Sequence, residues 1–407
     1  MHVPAPAAPP LSGLKVLELG QLIAGPFAGK LLAEFGADVI KVEPPARDGA
    51  QGGDPLRQWR LLHDGTSLWW YVQARNKKSV TVDLRHPEGQ AVVRRLARDA
   101  DIVIENFRPG TLEKWGLAYD ALAAANPGLI LVRLSGFGQS GPYRDQPGFG
   151  AVGESMGGMR HVTGFPDRPP VRMNISIGDA LASLYGVIGA LMALHHRKSN
   201  GGRGQVVDVA LYEAVFAMME SLVPEYDRFG EIRQRIGTGL TNIVPSNTYT
   251  TRDGKSVVIA GNGDSIYKRL MHAIGRDDLG QDPALADNRG RVARTADIDG
   301  AIGAWAAQHD LDFVLAALKA ADVPHGKIYT AADIVADPQY AAREMIREMT
   351  LGDGSTLKVP GIVPKLSMSP GALRWVGPEL GEHTDSVLRD AGYSAEDIAR
   401  LRQQGAI

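Results

Sequence analysis

The chain has 407 residues, with 44 Lys and Arg against 46 Asp and Glu and no cysteine. That length exceeds what one hydrophobic core usually serves and points to two domains. The balanced charge excludes a surface that coats nucleic acid or is drawn to membranes. Disulfides, thiolate metal sites and cysteine nucleophiles are excluded by the missing cysteines. The opening "MHVPAPAAPPLSG" lacks the basic-then-apolar order of a signal peptide and reads as a floppy leader. No stretch is expected to reach the length of a membrane helix, since "ALASLYGVIGALMAL" is short and contains two glycines. A soluble, cytoplasmic protein with no nucleic-acid or membrane partner is the expectation.

In chain order, "LKVLELG" predicts a strand, "GPFAGKLLAEFG" a helix with Pro26 in its first turn, and "ADVIKVE" a second strand. Then come the strand "SVTVDL", the helix "PEGQAVVRRLARDA", the strand "DIVIENF", the helix "YDALAAANPG" and the strand "LILVRLSGFG". Strand–helix repetition of this length implies parallel pairing through right-handed crossovers, hence a doubly wound α/β parallel sheet. A long apolar helix is predicted from Asp179 to His196, and "GRGQVVDVALYEAVFAMMESL" predicts a strand feeding another helix. Periodicity fades from Tyr226 to Val244, as in a linker. "SNTYTTRDGKSVVIAGNGDSIYKRLMHAIG" then predicts a hairpin turning at Asp253-Gly254, a loop and a helix. The expected division is a large α/β domain over 1–215, a smaller α+β domain over 225–330, and a C-terminal part, 345–407, returning to the large domain. Linkers are expected near 200–225 and 330–350.

Most familiar chemistries lack support. "LELGQLIAGPFAG" places Gly20, Gly25 and Gly29 outside the G-x-G-x-x-G spacing, and Pro26 removes an amide that a pyrophosphate would need. The histidines show no metal-ligand spacing, and His195-His196 suits the end of a helix, so no metal is expected. The glycine-rich stretch "LSGFGQSG" contains no G-x-S-x-G elbow and gives a serine triad no support. Cationic residues are more suggestive: Arg75, Lys77, Lys78 and Arg85 flank one predicted strand, and Arg108 and Lys114 follow another. In an open parallel sheet ligands bind beyond the carboxyl ends of strands. Asn106, Phe107 and Arg108 fall at such an end and could meet a phosphate-bearing ligand; a solvated cationic face is the alternative. Asp179, opening the long helix, reads equally as a cap that accepts unpaired amides.

Seven stretches taken together resemble the family III CoA-transferases, the group of the formyl-CoA and carnitine-type CoA-transferases. They are "LSGLKVLELGQLIAGPFAGKLLAEFGADVIKVEPP", "NKKSVTVDLRHPEG", "ADIVIENFRPGTLEKWGL", "LSGFGQSGPY", "PVRMNISIGD", "GRGQVVDVALYEA" and "GPELGEHTDSVLRDAGYS", in the family's order over nearly the whole chain. The resemblance implies an enzyme moving CoA between carboxylic acids, with acyl-CoA as substrate and an interlocked homodimer. It makes Asp179 the catalytic residue, forming first a mixed anhydride and then an aspartyl-CoA thioester. It places CoA against Ile23, Ala24, Val82, Arg85, Asn106, Phe107, Arg108, Lys114 and Phe149, and makes Gly261, Asn262 and Gly263 a lid supplying amide donors. Arg85, Arg108 and Lys114 are expected on phosphates.

Three positions depart from the family pattern: Pro44, where relatives carry Arg; Phe149-Gly150, where others have Tyr and an acid; and Glu154, where Gln is frequent. Arg172 is expected to meet a second carboxylate on the acceptor. The expected donor is succinyl-CoA and the acceptor a short dicarboxylic acid such as malate, oxalate or glutarate. The alternatives are a 2-methylacyl-CoA racemase, with Glu154 and His161 as acid and base, and a non-catalytic CoA-binding protein.

Overall fold

The computed structural model describes residues 8–407 except 48 and 50. The chain divides into two compact units: 1–159, 173–220 and 342–407 form the first, and 160–172 with 221–341 the second. The segment 160–172 groups with the second unit because Gly164 pairs with Gly237 there.

A six-stranded parallel sheet organises the first unit. Its strands are β1 (Lys15–Glu18), β2 (Asp38–Glu43), β3 (Lys77–Thr81), β4 (Ile102–Glu105), β5 (Ile130–Ser135) and β6 (Val206–Ala210), in the order β3-β2-β1-β4-β5-β6. Val16 registers with Val39 on one side and Ile102 on the other. Alternate residues feed two apolar layers, as parallel strands buried on both faces require. Leu17, Val80, Val103 and Leu131 join Val92, Val93 and Leu96, together with Leu388, Ile398 and Leu401 near the C-terminus. Val16, Val39, Ile102, Ile104, Ile130 and Val132 join Ala28, Leu32, Ala190 and Ala193. The helices of this unit include α1 (Ala24–Glu34), α2 (Leu68–Gln73), α3 (Pro87–Ala97), α4 (Gly150–Met156) and α5 (Ile177–Arg197), with others at Tyr119–Ala123, Leu211–Phe216, Thr384–Asp390 and Ala395–Gln403. α2 packs against α1 rather than on the sheet.

Three expectations change. Helix α5 starts at Ile177, so Asp179 stands in its first turn rather than opening it. With 21 residues, α5 is long and apolar enough, by length and composition, to cross a membrane. Its glycines do not shorten it: a Cβ on Gly189 would lie 2.5 Å from Val207 Cγ1, and one on Gly186 3.0 Å from Leu134 Cδ2, so both let the helix sit close on the sheet. The stretch 330–350 does connect the units, with the division at 341/342, but it is not irregular chain. It holds helices Ala331–Ala336 and Pro338–Ala342 and a strand, Ile346–Thr350, paired antiparallel with Thr356–Pro360. The leader ends by Pro9, since the Leu11 amide donates to Phe35 O at 3.0 Å; residues 1–7 lie outside the described chain.

The second unit has a three-stranded antiparallel sheet, β7 (Ser246–Thr250), β8 (Ser256–Ala260) and β9 (His325–Lys327), ordered β9-β8-β7. The hairpin turns at Asp253-Gly254, where Gly254 takes φ +72°. Val257, Ile259 and Tyr249 pack with Leu270 and Met271 of α6 (Asp264–Ala273), and with Ile298, Ile302, Val314 and Leu318. The helix Leu222–Phe229 runs into the stretch read as a linker, Tyr226 to Val244, before irregular chain resumes.

Candidate active site

From β1 the chain builds outward through β2 and β3, then crosses back to lay β4 on the other side of β1. The carboxyl ends of β1 and β4 therefore flank a topological switch point, where open α/β sheets bind ligands. Here the turn between β1 and α1 meets Asn106. The Gln21 amide donates to Asn106 Oδ1 at 2.7 Å, and Asn106 Nδ2 donates to Gln21 O at 2.8 Å. Both polar ends of the Asn106 side chain are thus committed to the turn, and a Cβ on Gly20 would lie 2.7 Å from its oxygen. Ile23 caps α1 without a side-chain bond. Its carbonyl accepts from Gln73 Nε2 at 3.0 Å.

Beneath this turn lie four buried charges, Glu18, Lys41, Asp54 and Lys77. Lys41 Nζ is 2.8 Å from Asp54 Oδ2 and 3.3 Å from Glu18 Oε1, while Lys77 Nζ is 2.8 Å from Glu18 Oε2. The Glu18 carboxylate presses on α1 at Gly29, where any Cβ would overlap it. Burial pulls the Lys77 ammonium down to about 8, with Glu18 opposing. Lys77 is therefore no part of a solvated face. Nor is Arg75, which is buried with its Nε 2.6 Å from Glu34 Oε1. Sequence reasoning missed the cluster; its signal was a charge in the middle of each apolar run, Glu18 in "VLELG" and Lys41 in "VIKVE".

The exposed cations stand further out. Arg85 Nε lies 3.2 Å from the buried Asp83 carboxylate, and the guanidinium of Arg47 bonds the other oxygen of that carboxylate. Arg47, three residues beyond Pro44, thus supplies a second guanidinium at the end of β3. Arg108 and Lys114 are exposed beyond β4. Three inter-strand steps, roughly 14 Å, separate the two groups across the sheet, a span suited to a long polyanionic ligand. Behind Arg108, Glu105 is buried against Arg133 Nε at 2.7 Å and accepts the Phe107 amide at 2.7 Å. Burial pushes the Glu105 carboxyl up to about 7 against the pull of Arg133. Phe107 sets its ring edge-on to Trp115, centroids 5.2 Å apart. Val82, expected on the ligand, is a core residue: it is buried among Val92 and Leu96 and its amide donates to Glu43 O at 2.8 Å.

Asp179 is half-buried in the first turn of α5, where the helix dipole favours an anion. Ser176, the cap residue, makes no side-chain capping bond. The Asp179 carboxylate lies against the backbone of Gly150, so closely that a Cβ there would overlap Oδ2. The preceding Phe149 is 68% exposed. One helical turn further along α4, the buried Glu154 brings its Cγ 3.3 Å from where a Cβ on Gly178 would stand. Glycine at 150 is thus what lets a carboxylate stand at this point.

The remaining expected residues lie in the second unit. Arg172 and His161 are exposed. The Gly261 amide donates to Pro245 O at 2.9 Å, and a Cβ on Gly261 would lie 2.6 Å from the buried Leu270. Gly261 is thus a packing glycine with a committed amide, leaving Asn262 and Gly263 as the loop's possible donors. The fully buried Arg291 fixes the loop, donating to Asn262 O at 2.8 Å, Asp264 Oδ1 at 2.7 Å and Val244 O at 3.0 Å. Among the described residues one histidine–carboxylate group has metal-like spacing, His63 with Asp64 and Asp353, on the surface of the first unit.

Comparison with known proteins agrees with this architecture. The family model for CoA-transferase family III matches residues 11–384. A succinyl-CoA–D-citramalate CoA-transferase from Chloroflexus aurantiacus is 50% identical over 400 residues, 98% of each chain. The alpha subunit of a succinyl-CoA–L-malate CoA-transferase from the same organism is 41% identical over 403 residues, 98% of this chain and 92% of that one. The crystal structure of a CAIB/BAIF family protein from Brucella suis superposes with a TM-score of 0.82 at 35% identity, covering 95% of this chain and all of that one. The chain belongs to the family III CoA-transferases and is an enzyme of CoA transfer.

Proposed function

We propose that the enzyme moves CoA from succinyl-CoA to a short dicarboxylic or hydroxydicarboxylic acid, with Asp179 as covalent carrier. The names of the relatives support this donor and this class of acceptor. The observation that carries the reading is the placement of Asp179 at the N-terminal end of α5, against a glycine that leaves room for no other side chain. A fixed carboxylate at the positive end of a helix stays ionised, as a nucleophile must.

In the proposed sequence an Asp179 oxygen attacks the thioester carbonyl, the C–S bond breaks, and CoA leaves as thiolate with a mixed anhydride behind it. The thiolate attacks the aspartyl carbonyl, releasing succinate and leaving an aspartyl-CoA thioester. The acceptor carboxylate attacks that thioester, and the freed thiolate then attacks the acceptor's acyl carbon, which restores Asp179. A carboxylate is a modest nucleophile, so the rate must come from holding the thioester and from donors to the developing oxyanion. The Ile23–Ala24 turn and the cations Arg85, Arg108 and Lys114 are proposed to hold CoA. The amides of Asn262 and Gly263 are proposed as donors, and Arg172 as partner to the acceptor's second carboxylate. An R172A variant then raises KM for diacids and leaves monoacids unaffected; an unchanged diacid preference removes Arg172 from the role.

A homodimer fits the same reading. Leu184, Ile188, Leu191 and Met192 recur at helical spacing on α5 and are all exposed, a stripe that a second copy would cover.

The deciding experiment incubates the enzyme with succinyl-CoA and a panel of acids, citramalate, malate, glutarate and acetate, and maps adducts by mass spectrometry. A CoA adduct on Asp179, with transfer abolished in D179A and D179N, is expected. Full exchange in either variant, or an adduct on another residue, overturns the proposal.

A further inference from the structure

Leu22 adopts φ +63°, in the left-handed region that a residue with a side chain seldom occupies. It sits in the turn between β1 and α1, immediately before Ile23 and Ala24. Such outliers persist only where their surroundings impose them, and they gather at functional sites. The surroundings here are specific: both oxygens of Asp54 accept the Leu22 amide, at 3.0 and 3.1 Å.

Asp54 also has a local task. It caps the short helix Pro55–Gln58 by accepting the Leu56 amide at 2.9 Å. Capping needs one acceptor oxygen and no contact with a residue 32 positions away, so it does not explain the bond to Leu22. Nor is the carboxylate free to turn elsewhere. It is 1% exposed and holds Lys41 Nζ at 2.8 Å, and its own backbone amide donates to Glu43 Oε2 at 2.9 Å. Burial would drive the carboxyl up, but Lys41 and the two amides more than offset this and keep it ionised.

The rest of the buried cluster points at the same few residues. Lys41 donates to Gly20 O, and Lys77 Nζ donates to Pro26 O at 2.7 Å. Three of the four buried charges therefore each contribute a hydrogen bond to the backbone of 20–26. A cluster that served only to join strands would have no need to converge on one turn.

We propose that Asp54 is a positioning residue for CoA transfer, holding Leu22 in its left-handed conformation so that Ile23 and Ala24 present a fixed edge to the thioester. The proposal rests on the assignment of this turn to the acyl-CoA. Asp54 touches no reacting atom in this scheme and acts only through the backbone of Leu22.

The test is a double-mutant cycle on the full-length enzyme with D54A, L22G and D54A/L22G, measuring kcat and KM for succinyl-CoA and thermal unfolding for each protein. Glycine reaches positive φ unaided, so L22G removes the need for the carboxylate. D54A is expected to lower kcat/KM for succinyl-CoA by about 10- to 100-fold, the effect of a small misplacement of a reacting group. In the L22G background the same substitution is expected to cost several-fold less. An equal penalty in both backgrounds, or a loss in D54A that merely tracks the unfolded fraction, overturns the proposal. Should D54A fail to fold, the isosteric D54N completes the cycle with the same two outcomes. D179A assayed in parallel separates the failures: retained exchange there sinks the covalent mechanism, whereas a missing rescue by L22G sinks only the role of Asp54.

Discussion

Ser183 Oγ lies 2.7 Å from the carbonyl oxygen of Ala24 and 2.7 Å from that of Asp179. One fully buried hydroxyl thus touches both the turn assigned to CoA and the helical turn that carries the proposed nucleophile. Its single hydrogen can serve only one carbonyl at a time. S183A removes the link without adding bulk. A loss of about 1 kcal/mol in stability is expected for one buried hydrogen bond, together with a fall in kcat of about tenfold from loosened alignment. Urea unfolding and steady-state kinetics check the two separately, and a destabilised variant with unaltered kcat would make Ser183 purely structural.

Gly150 offers a sharper probe. Alanine is the better residue in a helix, so G150A should not weaken α4 by propensity. Its methyl group nevertheless occupies the space of Asp179 Oδ2. The expected result is a fall in kcat of the order of 100-fold, with binding of free CoA retained, read by isotope exchange and by calorimetry. Full transfer activity in G150A would mean that the carboxylate position described here is not the working one.

The sequence shows the parallel sheet because its strands are continuous apolar runs, and such runs stand out against the polar helix faces between them. Asp179 stands out in the sequence through the family resemblance, and Gly150 only as a departure from the family pattern; that the two lie together is not legible, since they are 29 positions apart with nothing local to join them. Burial of charge is harder to read. Arg75 and Lys77 resemble solvent-facing cations in "ARNKKSV". Their partners, Glu34 and Glu18, lie 41 and 59 positions earlier, so only the fold reveals the pairing. The strand Ile346–Thr350 escaped because "IREMT" mixes charged and apolar residues on an edge hairpin, although "GDG" marks its turn. Asp54 ahead of Pro55 reads as a cap in any sequence; its bond to Leu22 is tertiary.

Glu105 links the site to pH. Its carboxyl rises from 4.5 to about 7 on folding, chiefly through burial, so between those values the folded protein holds a proton that the unfolded chain has released. The contribution to stability is therefore full below about 4.5 and is lost as pH climbs through about 7, by up to roughly 3 kcal/mol. E105Q cannot titrate and lacks this slope. Urea unfolding from about pH 5 to about pH 8 should show the wild type losing ground to E105Q as pH rises, and parallel curves would refute the raised carboxyl.

The loop between β8 and α6 depends on a single side chain. Arg291 is fully buried and joins Val244, Asn262 and Asp264, with further bonds to Leu285 O at 3.2 Å and Ala286 O at 3.3 Å. Asp264 is itself largely exposed, so the strength of the arrangement lies in the carbonyls that converge on the guanidinium rather than in the ion pair. Methionine would fill the volume and leave those carbonyls without their donor, each at a cost of about 1–3 kcal/mol. R291M is therefore expected to lower the unfolding temperature of the second unit and to speed amide hydrogen exchange at residues 261–264. R291K, with one compact ammonium in place of the planar fork, should fall between. If Asn262 and Gly263 supply donors to the reaction, R291K also lowers kcat more than it raises KM for succinyl-CoA, because donors aimed at a developing charge act in the transition state and not on the bound substrate. Unchanged exchange at 261–264 in both variants would show that the loop is held by something other than Arg291.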